Sequence, residues 1–173
     1  MISSAIPVSA SDAAGEQGFD ATVGSDTGRL FTLALSILRD DGEAQDAVQE
    51  TLVKAWRSWD SLSRTDHVSR WLTRVSVNYC ISRRRYLRSR GWPSLQISEL
   101  AGSPGDPGSS AQTVDMDRAY RRLSLKQRAA IALTYGYGYT DDESADLMGC
   151  RPGTVRTHVA RGLATLRKEL GDA

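Results

Sequence analysis

The chain has 173 residues, enough for one large domain or two small ones. Its 40% hydrophobic and 25% charged residues are an ordinary globular balance, and a net charge of +1 leaves any case for nucleic acid to the distribution of charge rather than its total. No run has the apolar length of a membrane-spanning helix and the start lacks the basic and apolar regions of a secretory signal, so a soluble cytoplasmic protein with no membrane partner is expected.

Residues 1–24 are rich in Ser, Ala and Gly without periodicity, and the first 28 residues contain no base. A disordered lead-in is expected there. From Thr27 the pattern turns helical, with Leu30, Phe31, Leu33, Ala34, Leu35, Ile37 and Leu38 apolar, and Asp40-Asp41-Gly42 reads as a break. The next helix, Glu43 to about Trp59, sets Ala44, Val48, Leu52, Ala55, Trp56 and Trp59 on one face, where the tryptophans read as core. Asp46, Glu50, Val53 and Arg57 line the far face, with Gln49 at its edge. That face fits a solvated surface held by local charge pairs. It equally fits a docking surface for a partner helix, with Val53 as the apolar contact.

Asp60–Ser69 reads as a polar loop, and a further helix from about Arg70 to Arg88 sets Trp71, Leu72, Val75 and Tyr79 along one side. Between Arg64 and Arg90 stand eight arginines and a single acid, Asp66. Arginines interleaved with aromatics can track a phosphate backbone and stack on unpaired bases. The bland alternative is a solvated helix end favoured by the helix dipole. Residues 92–112 concentrate Pro, Gly and Ser and read as a flexible linker between two small helical domains. The fold class expected is therefore all-α.

Beyond the linker, Met116, Tyr120 and Leu123 are spaced to pack, and Ser124 with Gln127 makes a capping box that starts a helix to about Tyr135. The glycines of Tyr135–Tyr139 lack the lysine and the strand of a phosphate loop, so no nucleotide cofactor is expected. Thr140 and Glu143 form a second capping box, Gly149 ends that helix, and Pro152 opens the next. These caps and breakers spell a helix-turn-helix. In the last helix Val155, Val159, Gly162, Leu163, Leu166 and Leu170 fall inward, while Thr154, Thr157, Arg161 and Lys168 fall opposite, flanked by Arg156 and His158. Arg151 to Lys168 contains five Lys and Arg residues and no acid. An all-positive face directly after such punctuation favours DNA over a merely solvated surface. Cys80 and Cys150 are isolated thiols without the paired spacing of a zinc site, so no metal is expected. No nucleophile motif or carboxylate pair marks a catalytic residue.

The order of these parts resembles a bacterial RNA polymerase sigma factor of the extracytoplasmic-function class, within the sigma-70 family. AQDAVQETLVKAW (44–56) is similar to that family's AEDLVQETF segment, and RWLTRVSVNYCISRRRY (70–86) to its WLxRIAxN…RR segment. The stretch from Leu123 to Arg167 resembles its C-terminal LPxxQR…GTVKS…LR block. The resemblance implies sigma region 2 over 25–91 and region 4 over 113–170. It implies docking on the clamp helices of core RNA polymerase through Asp46, Gln49, Glu50 and Val53, with the polymerase flap as a further partner. It assigns Arg64, Arg70, Trp71, Arg74, Asn78, Arg83, Arg84 and Arg85 to recognition and opening of the −10 element. Arg151, Thr154, Arg156, Thr157, His158, Ala160 and Arg161 go to the −35 major groove. An anti-sigma factor clamping both domains is compatible with this plan. The rival reading is a stand-alone regulator using only its C-terminal helix-turn-helix.

Two departures from the family pattern matter. Arg151 stands where serine is common, removing a side-chain N-cap typically worth about 1 kcal/mol. Ser144 replaces a larger residue, which predicts looser packing in the first helix of the helix-turn-helix.

Overall fold

The computed structural model describes residues 10–89 and 111–171, with side chains over 18–82 and 115–171. Among them the chain is all-helical, with eight α-helices, one π-helical turn and no strand.

Helix α1 runs from Ala10 to Leu38, so the expectation of disorder through residue 24 is corrected over its second part; residues 1–9 lie outside those described. The helix reaches back past Thr27 because the residues there have something to cover. Val23 is 2% exposed, and the Phe19 ring stands edge-on to Trp56 and Trp59, with centroids 5.2 and 5.1 Å away. Edge-to-face aromatic pairs add stability beyond the area they bury. Trp56, expected in the core, remains 48% exposed.

Arg39 ends α1 in the left-handed region at φ 60°, its N–H donating to the Leu35 carbonyl at 2.8 Å. Asp40 then caps α2 (Asp41–Arg57), its carboxylate accepting from Glu43 N at 2.8 Å. The break thus falls one residue earlier than expected and Gly42 is already helical. Asp41 and Glu43 in the first turn and Lys54 and Arg57 in the last complement the helix dipole. The segment 60–69, expected as a loop, begins inside a short α3 (Trp59–Leu62) held down by buried Leu62. Helix α4 (Val68–Ser89) starts two residues earlier than expected. Leu30, Val48, Ala55, Leu62 and Leu72 form the core of this first half.

The linker expected over 92–112 falls outside the described residues except for Ala111 and Gln112, which open α5 (Ala111–Arg121). Both expected capping boxes are formed, Ser124–Gln127 at α6 (Leu125–Ile131) and Thr140–Glu143 at α7 (Asp141–Met148). A π turn, Ala132–Gly136, continues α6 and closes with Tyr137 N donating to the Ala132 carbonyl at 3.0 Å. Gly149 caps α7 at φ 64°, where a side chain would be strained. Helix α8 follows, Pro152–Gly171.

Helices α6 and α8 meet at Gly162, where an added Cβ would stand 2.7 Å from Ile131 Cδ1. Overpacking of this kind typically costs 1–3 kcal/mol. Gly162→Val is therefore expected to destabilise the second half by about 2 kcal/mol in urea unfolding, and Ile131→Val in the same chain should recover part of the loss.

The two halves share an apolar core. Leu33, Ala34, Ile37, Val77 and Cys80 of the first pack in one cluster with Ala129, Ala130, Leu133, Leu147 and Val155 of the second. Arg128, only 9% exposed, sits at the seam. Its guanidinium donates to the carbonyls of Tyr120 (3.1 Å) and Arg121 (2.9 Å) at the end of α5, and to that of Ile37 (3.0 Å) at the end of α1. Tyr137 Oη donates to the Arg29 carbonyl at 3.2 Å, and Arg39 pairs with Asp117. Both cysteines are free; Cys80 is buried, which pushes its thiol up to about 12, and half-buried Cys150 is raised for the same reason.

Candidate nucleic-acid and polymerase interfaces

Helix α8 packs one face and presents the other. Val155 and Gly162 are buried, whereas Arg151, Thr154, Arg156, Thr157, Ala160 and Arg161 are exposed and His158 is partly covered. The sorting follows from inward residues at helical spacing packing on α6 and α7. Arg151 provides no side-chain cap here: its side chain is exposed, and its carbonyl accepts from Thr154 N at 2.8 Å to start the helix. The Thr157 hydroxyl donates back to the Gly153 carbonyl at 2.8 Å. The Arg156 guanidinium lies 3.5 Å from the Asp141 carboxylate at the start of α7. Partial burial, then Lys126 and Arg161, hold the His158 imidazole below its ordinary range, so near neutral pH it is an uncharged member of a positive face.

Beside this face lies a groove lined by Tyr135, Tyr139, Asp141, Arg156, Ala160 and Arg167. Tyr135 is 68% exposed. The sequence pattern gives Tyr135 and Tyr139 no role beyond joining two helices. Tyrosines alternating with glycines before a capped helix are the available signal; Tyr137 and Tyr139 pack in part against the shared core, whereas Tyr135 stays outside it.

On α4, Arg70 and Arg74 are exposed, and so is Arg64 in the preceding turn. Trp71 is partly buried against the first-half core. Asn78 is half-buried, its amide donating to the Arg74 carbonyl at 2.8 Å and across to the Leu147 carbonyl of α7 at 3.0 Å. Arg70 Nη2 reaches the Asp146 carboxylate at 3.0 Å. Two of the residues assigned to −10 DNA therefore face the other half of this chain. Arg83, Arg84 and Arg85 lie on the last turns of α4, and their side chains are outside the described set.

On α2, Asp46 and Gln49 are exposed and Val53 is 43% exposed. Glu50 is half-covered, 3.4 Å from Lys54 Nζ. The four residues occupy one side of the helix, opposite buried Ala44, Ala47, Val48 and Ala55. Ser144, expected to loosen α7, is fully buried, and its hydroxyl has no hydrogen-bond partner among the described residues.

No group of His, Cys, Asp and Glu suited to a metal occurs among the described residues, and no helix there is long and apolar enough to cross a membrane.

With a helix-turn-helix presenting a basic helix and a four-helix unit presenting an arginine-bearing one, the fold is that of a two-part DNA-binding protein. Residues 23–92 match the Sigma-70 region 2 family and residues 113–166 the Sigma-70 region 4 family. The chain is 31% identical over 143 residues to the ECF RNA polymerase sigma factor SigM of Mycobacterium tuberculosis, covering 83% of this chain and 72% of that protein. It is 30% identical over 151 residues to SigL of the same organism, covering 82% and 84%. Among solved structures it is similar to the sigma factor RpoE of Bartonella quintana in complex with the anti-sigma factor NepR, with a TM-score of 0.71 at 29% identity, covering 90% of this chain and 98% of that one. The chain belongs to the extracytoplasmic-function class of sigma-70 RNA polymerase sigma factors.

Proposed function

We propose that this chain docks on core RNA polymerase and directs it to two-part promoters. Helix α8 reads the −35 element; α4 and the turn before it recognise and open the −10 element. The observation that carries this reading is the exposed basic face from Arg151 to Lys168, a stretch without an acid, with Arg151, Arg156 and Arg161 held out by buried Val155 and Gly162. Arginine pairs bidentately with guanine and clamps phosphate, so such a face suits a major groove. Opening the −10 element requires unstacking, a few kcal/mol per base, which contacts from Arg64, Arg74 and the arginines at 83–85 to the separated strand would offset. The chemistry of RNA synthesis remains with polymerase, and no catalytic residue or cofactor is assigned to this chain. The clamp helices and the flap of polymerase are the docking partners. The NepR-bound relative supports an anti-sigma factor as a further partner of this chain.

The test is reconstitution: the purified chain with core polymerase should yield promoter-dependent transcripts. Failure to bind core, with tight binding of the chain alone to duplex promoter DNA, would overturn the reading in favour of a stand-alone regulator. On α2, Val53→Asp should weaken core binding by about 2 kcal/mol, the threshold of an interface hot spot, because it places a charge where the exposed apolar contact stands. Competition against a labelled wild-type chain measures it, and binding to −35 duplex should be unchanged.

A further inference from the structure

The basic stretch from Arg151 to Lys168 has no acid of its own, but the fold brings one to it. Asp141, the first residue of α7, stands 3.5 Å from Arg156 Nη1 on α8. The three acids of that first turn are used differently. Glu143 accepts from Thr140 N at 2.9 Å and closes the capping box, Asp142 is exposed, and Asp141 turns toward α8. The Arg156 guanidinium also lies over the start of its own helix, where a Cβ on Gly153 would stand 3.8 Å from Nη2. Long helical side chains lean toward the N-terminus of their helix, and here the lean carries the fork to the junction of α7 and α8. Ala160, one turn further on and exposed, has no side-chain length to brace the guanidinium from the other direction. The Asp141 carboxylate supplies bracing from the α7 side.

We propose that Asp141 is a positioning residue for −35 recognition: it holds the Arg156 fork at the angle from which that side chain reads one base pair, and so sets specificity there. The inference rests on the assignment of Arg156 to the −35 groove and deepens it. Arginine carries its N–H donors in a rigid plane, so one directed at a carboxylate leaves a parallel pair for guanine O6 and N7. Charged hydrogen bonds at their best are about 2.7–2.9 Å long. At 3.5 Å the pair steers the guanidinium and leaves it room to settle on a base. The same carboxylate works against binding of arbitrary sequence, because it offsets a positive charge that phosphates would otherwise meet. Discrimination and bulk affinity are thus set against each other at this residue. Both partners are well exposed, so the pair contributes little to folding and its loss can be read at the DNA.

The test uses the full chain reconstituted with core polymerase on a promoter library randomised across the −35 region, with the transcribed templates sequenced to give base preferences. Asp141→Asn should flatten the preference at the base pair that Arg156→Ala flattens, by about fivefold, and leave the other positions unchanged. In an Arg156→Ala background it should change no preference further. Asp141→Glu, which keeps the charge, should retain more discrimination than the asparagine variant. Anisotropy of the chain alone on a fluorescein-labelled random-sequence duplex at low salt should show about two- to threefold tighter binding for Asp141→Asn. The urea midpoint should match that of the wild type. Weaker binding to the random duplex, or a lowered midpoint with preferences lost at every position, would assign Asp141 to the fold and overturn the proposal. So would additive effects of the two substitutions. An altered Arg156→Ala profile beside an unaltered Asp141→Asn profile would overturn the proposal alone. If Arg156→Ala leaves every preference intact, the assignment of Arg156 to the −35 groove falls and the proposal with it.

Discussion

Arg161→Ala is expected to lose about 1–3 kcal/mol of −35 recognition, roughly a tenfold to hundredfold fall in initiation from −35-dependent templates. Core binding should be unchanged, because Arg161 is exposed on α8, in the other half of the chain from the docking face proposed on α2. Removing a base contact relaxes discrimination at one position, whereas removing a phosphate contact weakens all sequences alike and lowers the salt slope. Transcription from templates selected with the wild-type chain, repeated at two salt concentrations, separates the two. Equal loss of core binding by Arg161→Ala and Val53→Asp would show that the division of labour between the halves is wrong.

The second large effect concerns stability. Arg128→Met should destabilise the chain on the order of 3 kcal/mol, since a buried acceptor left without its donor costs about 1–3 kcal/mol. The guanidinium serves four carbonyls at two helix ends, those of Tyr120 and Arg121 within the second half and those of Ile37 and Leu38 across the seam. Methionine fills similar volume but donates nothing. Urea unfolding of the variant should show a lower midpoint. Tyr137→Phe, which removes one marginal hydroxyl, should shift it far less.

Much of this architecture was legible because local chemistry declares it. The Ser124–Gln127 and Thr140–Glu143 boxes, Gly149 and Pro152 mark helix ends by satisfying or lacking backbone donors, and all act within a few residues. The inward stripe of α8 was legible for the same reason. What escaped was set by distant contacts. Residues before Thr27 show no periodicity of their own, and α1 extends through them because Phe19 meets two tryptophans from α2 and α3. Arg128 reads as an ordinary helical arginine, and only the fold brings the end of α1 beside it. On the candidate site, the exposure of α8 followed from spacing. The engagement of Arg70 and Asn78 by α7 depends on packing between residues 76 and 69 apart in sequence.

The buried thiol of Cys80 has a consequence for oxidation. Burial pushes its pKa up to about 12, far above neutral pH, and the thiolate that attacks peroxides and disulfides is correspondingly scarce. Cys150 is shifted in the same direction. Buried Cys80 is not poised for sulfenic acid formation or for thiol exchange with glutathione. Oxidation at Cys80 would require the core around it to open first.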